Sequence, residues 1–168
     1  VVYNSAGWVY YSLGDYERAL TYQDRALELD PKLPRAFAVK TLVNLDLGNN
    51  DEAMKYARDA LTASGNGIEY RAWLGHAYGR SGKRQEAEKI LVELQDLSAR
   101  EYVAPVLFAL IYTGLGDKDK AFEWLEKVYN NRNGDIIYLL VEPAWKPLRG
   151  DPRLAALANK VGIPQINN

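Results

Sequence analysis

Histidine is the side chain best suited to moving protons near neutral pH, and this chain has one, His76. A catalytic imidazole needs a nucleophile and an orienting acid converging on it. Glu69 and Arg80 stand one or two helical turns away along the chain, but no Ser or Thr carries a recognisable nucleophile motif. Cysteine is absent, which removes disulfides, a thiolate nucleophile and thiolate zinc ligands together. A lone imidazole falls short of the three or four protein ligands that zinc takes. Gly65-Asn66-Gly67 lacks the following Lys-Ser or Lys-Thr of a phosphate cradle. Arg149-Gly150-Asp151 spells an adhesion tripeptide, yet Asp151 directly before Pro152 is better explained as a helix cap. No catalytic residue, metal site or cofactor is expected, and the chain is not read as an enzyme.

Composition excludes further classes. The formal net charge is −1 and no run of Lys or Arg exceeds two residues. A nucleic-acid binder of this size would show a basic stripe, so nucleic acid is not an expected partner. No stretch approaches the roughly 20 apolar residues of a membrane span, so membrane insertion is not expected either. A cysteine-free chain suits the cytoplasm and the periplasm equally, and the cytoplasm is the expected compartment. The 168 residues suffice for one domain with a continuous core. The opening VVYNSAGW has neither an initiator Met nor a signal-peptide pattern, and reads as a start made inside a longer protein.

The elements that would position any site follow from an internal period. Gly14, Gly48, Gly82 and Gly116 are separated by 34 residues each time, and five residues after each stands Ala19, Ala53, Ala87 or Ala121. The local strings are SLGDYERAL, DLGNNDEAM, RSGKRQEAE and GLGDKDKAF. Ala6, Val9, Tyr10 and Leu13 recur at helical steps, as do Leu107, Leu110, Ile111 and Gly114. Small residues such as Gly75 and Ala109 at mid-helix imply that a facing helix approaches closely. Each glycine breaks a first helix, and Asp15, Asn49 and Asp117 are placed to cap a second. Lys83 cannot cap, so the third turn should be the least well capped. Asp51 with Lys55, and Glu123 with Lys127, have the favourable spacing for outward ion pairs.

This pattern resembles the tetratricopeptide repeat, whose unit of 34 residues is helix, turn, helix. Tyr3, Gly7, Tyr10, Gly14, Tyr16, Ala19, Ala26 and Pro31 fall at its signature positions in the first copy. The second keeps Phe37, Gly48, Ala53 and Ala60, the third Gly75, Tyr78, Gly82 and Ala87, and the fourth Ala109, Tyr112, Gly116 and Ala121. The resemblance implies an all-α fold, a right-handed superhelical solenoid of about four hairpins. Their approximate bounds are 1–33, 34–67, 68–101 and 102–133, with 134–168 as C-terminal capping helices. There DIIYLLV reads as a short helix ended by Pro143, and Asp151-Pro152 opens another that Gly162 and Pro164 end. Leu154, Leu157 and Val161 would face the last hairpin. Earlier repeats or another domain are expected before Val1, and the C-terminus reads as genuine. The strings GLGDKDKAFEWLEKVY and EPAWKPLRGDPRLAAL also resemble the ends of large bacterial signalling proteins, whose repeats follow a kinase, cyclase or winged-helix domain.

The family binds extended or helical peptides on a concave surface lined by first helices. Carrying those positions over gives Asn4, Ser5, Trp8, Tyr11 and Ser12, then Arg35, Ala38, Leu42 and Asp46. The third copy adds Glu69, Trp73, His76 and Arg80, and the fourth Val103, Leu107, Leu110 and Thr113. Aromatic and Arg residues are common interface anchors, so Trp8 and Trp73 are candidate contacts; packing between neighbouring first helices is the alternative for both. Chaperone-binding members hold a partner's terminal carboxylate with Lys, Asn and Arg. Only Asn4 matches here, while Trp8, Leu42 and His76 replace amide or basic residues, so that function is not expected. The expected partner is a protein or peptide with bulky side chains, with Arg35 and Arg80 as acid contacts. A domain of the parent chain, or a second copy through self-association, is the alternative.

Overall fold

The structure, a computed structural model, describes residues 2–131, Ile136 and 143–162. Eight helices form four consecutive hairpins: α1 (Val2–Ser12) with α2 (Tyr16–Leu29), α3 (Pro34–Asp46) with α4 (Asn50–Ala63), α5 (Ile68–Arg80) with α6 (Arg84–Ser98), and α7 (Pro105–Leu115) with α8 (Lys118–Asn130). A 3-10 helix (Pro143–Leu148) and α9 (Pro152–Val161) follow. Among the described residues there is no strand. The fold is an all-α solenoid.

The tight turns explain the glycine ladder. Gly14, Gly48, Gly82 and Gly116 adopt φ of 77°, 77°, 75° and 73°, the left-handed region that a Cβ disfavours. The next residue's N–H then closes on a carbonyl five positions back, as Asp15 does on Tyr10 at 2.9 Å and Asn49 on Asn44 at 2.8 Å. This satisfies helix-end carbonyls and reverses the chain. The second helix starts so close to the first that only a methyl fits between them, and Ala19, Ala53, Ala87 and Ala121 are all fully buried.

Capping follows expectation in part. Asp15 accepts the Arg18 N–H at 3.1 Å and Asp117 the Lys120 N–H at 3.2 Å, while Lys83 provides no cap. Asn49 does not cap: its side-chain amide donates to Asn44 Oδ1 at 3.4 Å, leaving the second turn no better capped than the third. Glu123 and Lys127 pair at 2.9 Å, whereas Lys55 lies 3.9 Å from Glu52 rather than beside Asp51.

First helices pack directly on one another, α1 on α3, α3 on α5 and α5 on α7, and each second helix lies against its own partner and the next first helix. That arrangement places the first helices on the inner face. The closest approach joins α5 to α7. A Cβ on Gly114 would lie 2.4 Å from the His76 carbonyl oxygen, and one on Gly79 would lie 2.6 Å from the Gly114 carbonyl carbon. In α1 the packed face differs from the expected one. Gly7 and Tyr11 are buried, while Val9 and Leu13 are 55% and 73% exposed. Gly7 lies over Gln23, which would sit 2.2 Å from an added Cβ.

Beyond α8 the 34-residue register continues. Gly150 has φ of 86°, Asp151 accepts the Arg153 N–H at 3.1 Å, and Ala155 follows, each 34 positions after Gly116, Asp117 and Ala121. Helix α9 thus stands where a fifth second helix would, tied to α8 by Arg153–Asp119 and Lys160–Glu126, both at 2.7 Å. The 3-10 helix occupies the register of the end of a first helix, with Pro143, Ala144, Trp145 and Leu148 buried, and packs on α7. What reads in sequence as a separate cap continues the repeat. Leu154 and Leu157 are buried and Val161 is half-buried against the core, and Gly162 ends α9 in the left-handed region. The expected DIIYLLV helix and Pro164 lie outside the described residues apart from Ile136.

Two glycine substitutions separate the constraints. Gly114→Ala must push α5 from α7 and should cost about 3 kcal/mol or more, at the upper end of overpacking. Gly48→Ala meets no neighbouring atom and should cost only the left-handed penalty, about 1–2 kcal/mol. Urea unfolding followed by circular dichroism measures both.

Candidate functional site

The closeness of the first helices decides which inner-face residues reach solvent. Leu42 and His76 are fully buried, and Tyr11 and Leu110 are 3% and 4% exposed. These four, expected to face a partner, are instead shut between consecutive helices; between α5 and α7, Gly79 and Gly114 let the backbones close over His76. Arg35 and Glu69 are exposed, and Asn4, Trp8, Trp73 and Leu107 are half-buried. Trp8 meets Tyr11 edge-on at 6.2 Å, and Trp73 meets His76 edge-on at 6.0 Å. Each tryptophan therefore contributes to packing and still presents part of its ring.

His76 holds two repeats together. Its Nδ1 lies 2.9 Å from the Leu110 carbonyl oxygen, one repeat on. A carbonyl only accepts, so Nδ1 carries the proton, and Nε2 is buried with no hydrogen-bond partner. Burial pushes the pKa down to about 4; Arg80 reinforces the shift, and the Leu110 bond and Asp46 oppose it. The ring is neutral at pH 7 and enclosed, with no hydroxyl nucleophile bonded to it. Among the described residues no group of three or more His, Asp and Glu could hold a metal ion.

Asp46, the last residue of α3, gathers the polar contacts of the inner face. Its side chain is 4% exposed. Oδ1 accepts from the Arg80 guanidinium at 3.0 Å. Oδ2 accepts from Tyr16 at 2.9 Å, Tyr11 at 3.3 Å and the Lys146 ammonium at 2.9 Å. Lys146 also reaches the Tyr16 hydroxyl oxygen at 3.3 Å. Burial opposes the charged form of Asp46, but the bonds from Lys146, Arg80 and Tyr16 outweigh it and hold the carboxyl below its ordinary range. Arg80, expected as a free acid contact, is already neutralised here.

A cavity of about 410 Å³ lies between α1 and the start of α3, lined by Asn4, Ser5, Trp8, Val9, Leu33 and Arg35. Arg35 forms no ion pair among the described residues. Asn4 Oδ1 is buried without a partner, and its backbone carbonyl accepts from Gln23 Nε2 at 3.1 Å.

Residues 1–33 and 106–133 each match the tetratricopeptide repeat family. The chain carries tetratricopeptide repeats. A comparison with curated proteins gives no match. Tetratricopeptide repeats are, in general, protein–protein interaction modules without catalysis of their own. No described helix of this tetratricopeptide-repeat protein is long and apolar enough to cross a membrane. The adhesion tripeptide is closed as well: Asp151 bonds Arg153 through its backbone and its guanidinium, at 2.9–3.1 Å.

Tyr16 and Lys146 are site residues that sequence reasoning missed. Tyr16 sits at a repeat signature position and reads as packing, and Lys146 lies 100 residues from Asp46. A readable signal did exist at Asp46 itself, an acid at a helix C-terminus, where the dipole disfavours it.

Because the folded His76 resists protonation and the unfolded one does not, its contribution to stability is complete above pH 6.5 and declines as pH falls toward 4. The loss should reach about 3 kcal/mol. A His76→Asn variant, less stable at pH 7, should lack this component; urea unfolding of both proteins between pH 7.5 and 4 tests it.

Proposed function

We propose that this tetratricopeptide-repeat protein is a non-enzymatic scaffold that binds a peptide or helix of a protein partner along the inner face of its first helices. The supporting observation is the cavity beside α1, lined by the Trp8 ring, the exposed Arg35 and Asn4. Apolar side chains would rest on Trp8, and Arg35 would meet an acidic group. Such a mixture of one aromatic anchor with few directed polar groups suits short-segment recognition. Half-buried Trp73 and Leu107 would extend the surface along α5 and α7.

A second reading, self-association, draws on one feature. Val2, Val9 and Leu13 are 80%, 55% and 73% exposed on a single stripe of α1. Light-scattering mass that stays monomeric at high concentration would remove it.

For the groove reading, Trp8→Ala should weaken partner binding by more than about 1 kcal/mol while helicity is retained. Isothermal titration with a peptide selected on the wild-type chain measures the first, and circular dichroism the second. Unchanged affinity in a folded variant would contradict the groove.

A further inference from the structure

The repeat supplies its own control for what the fold requires. One and more repeats away, the position of Asp46 is filled by Ser12, Arg80, Gly114 and Leu148; that of Tyr11 by Leu45, Gly79 and Thr113; that of Tyr16 by Asn50, Arg84 and Lys118. The polar cluster at Asp46 thus recurs in no other copy, and the hairpins fold without it. An acid as the final residue of α3 also opposes the helix dipole. A charged cluster that breaks a local rule in one copy and is dispensable in the others points to a function specific to that copy.

The surrounding cleft already holds an exposed cation against Asp46. It encloses about 510 Å³ and is lined by Asp46, Gly79, Arg80, Leu115, Gly116 and Lys146, among others. The C-terminal ends of α5 and α7 lie in this lining, and helix C-termini carry partial negative charge. In the free chain the cation is Lys146, whose side chain is half exposed while that of Asp46 is 4% exposed. Lys146 can leave at little cost. Asp46 would keep Arg80, Tyr16 and Tyr11, so no buried charge would be stranded.

We propose that Asp46 is the seat for a basic side chain of the partner, and that Lys146 fills that seat until the partner displaces it. This rests on the groove reading above and gives the partner a specific chemistry: a segment with a Lys or Arg at one fixed position. The 3-10 helix carrying Lys146 stays anchored by buried Ala144, Trp145 and Leu148. Displacement therefore moves one side chain and no domain.

The test selects random 12-residue peptides by display on the 168-residue chain carrying Lys146→Gln, then measures the winners on the wild type, Lys146→Arg and Lys146→Gln/Asp46→Asn. Selected peptides should share a fixed Lys or Arg and bind Lys146→Gln about two- to five-fold more tightly than wild type, the cost of displacing a half-exposed ion pair. Lys146→Arg should behave as wild type, and Asp46→Asn should lose more than about ten-fold. Peptides that lack a fixed basic residue, or that bind Asp46→Asn unchanged, overturn the proposal and leave the groove reading standing. No enrichment on any variant overturns both. Should Asp46→Asn fail to fold, Lys146→Arg against Lys146→Gln decides alone: equal affinities overturn the proposal.

Discussion

The close approach of consecutive first helices is the constraint on which the rest of this structure depends. Backbone meets backbone where Gly79 and Gly114 face one another and the His76 carbonyl. That contact works only if each hairpin repeats the last without insertion, and four of the side-chain links between repeats keep the same step. His76 to Leu110, Arg80 to Asp46, Arg153 to Asp119 and Lys160 to Glu126 all span 34 residues. The left-handed glycine turns and the buried alanines that follow them serve this register, since both set where the second helix begins. The register even continues past the 3-10 helix into α9, where Gly150, Asp151 and Ala155 repeat the turn pattern.

Closing the first helices together has a consequence for binding. Residues at inner-face positions divide into those sealed between helices, such as Leu42 and His76, and those on the ridges, such as Trp8, Arg35 and Trp73. A solenoid is held mainly by contacts between neighbours. Lys146 is different, because it runs from the C-terminal segment back to Asp46 and Tyr16, across 100 and 130 residues. It links the register of a fifth copy to the first and second, and so ties the C-terminal end to the inner face.

The fold was legible because its determinants are local and repeated. A glycine needed at positive φ and an alanine needed for close approach leave marks at fixed spacing, and four copies make the spacing unmistakable. The fifth copy escaped notice for a physical reason: Gly150, Asp151 and Ala155 keep the turn, but Pro143 and Pro147 prevent a regular first helix. The site was less legible. A family position says which face a residue lies on, whereas exposure depends on the distance between helices, and that distance closed over Tyr11, Leu42, His76 and Leu110. In α1 the periodicity pointed to Val9 and Leu13, while packing used Gly7 and Tyr11. Asn49 was readable as a cap until Asn44, a polar residue peculiar to its copy, claimed its amide. Contacts across 100 residues, such as Lys146 with Asp46, leave no local mark.

The inner surface has a cavity lined by Trp8 and Arg35 at α1 and a buried, paired carboxylate, Asp46, at the end of α3. The outer helices carry solvated charge, including exposed pairs such as Arg84–Glu88 and Lys127–Glu123. A partner segment lying along the first helices would cross both inner features. Hydrogen exchange of the 168-residue chain with and without a display-selected peptide tests this most directly. The account predicts added protection in α1, α3 and α5, with α2, α4 and α6 unchanged. Protection confined to the second helices would place the partner on the outer face and contradict it.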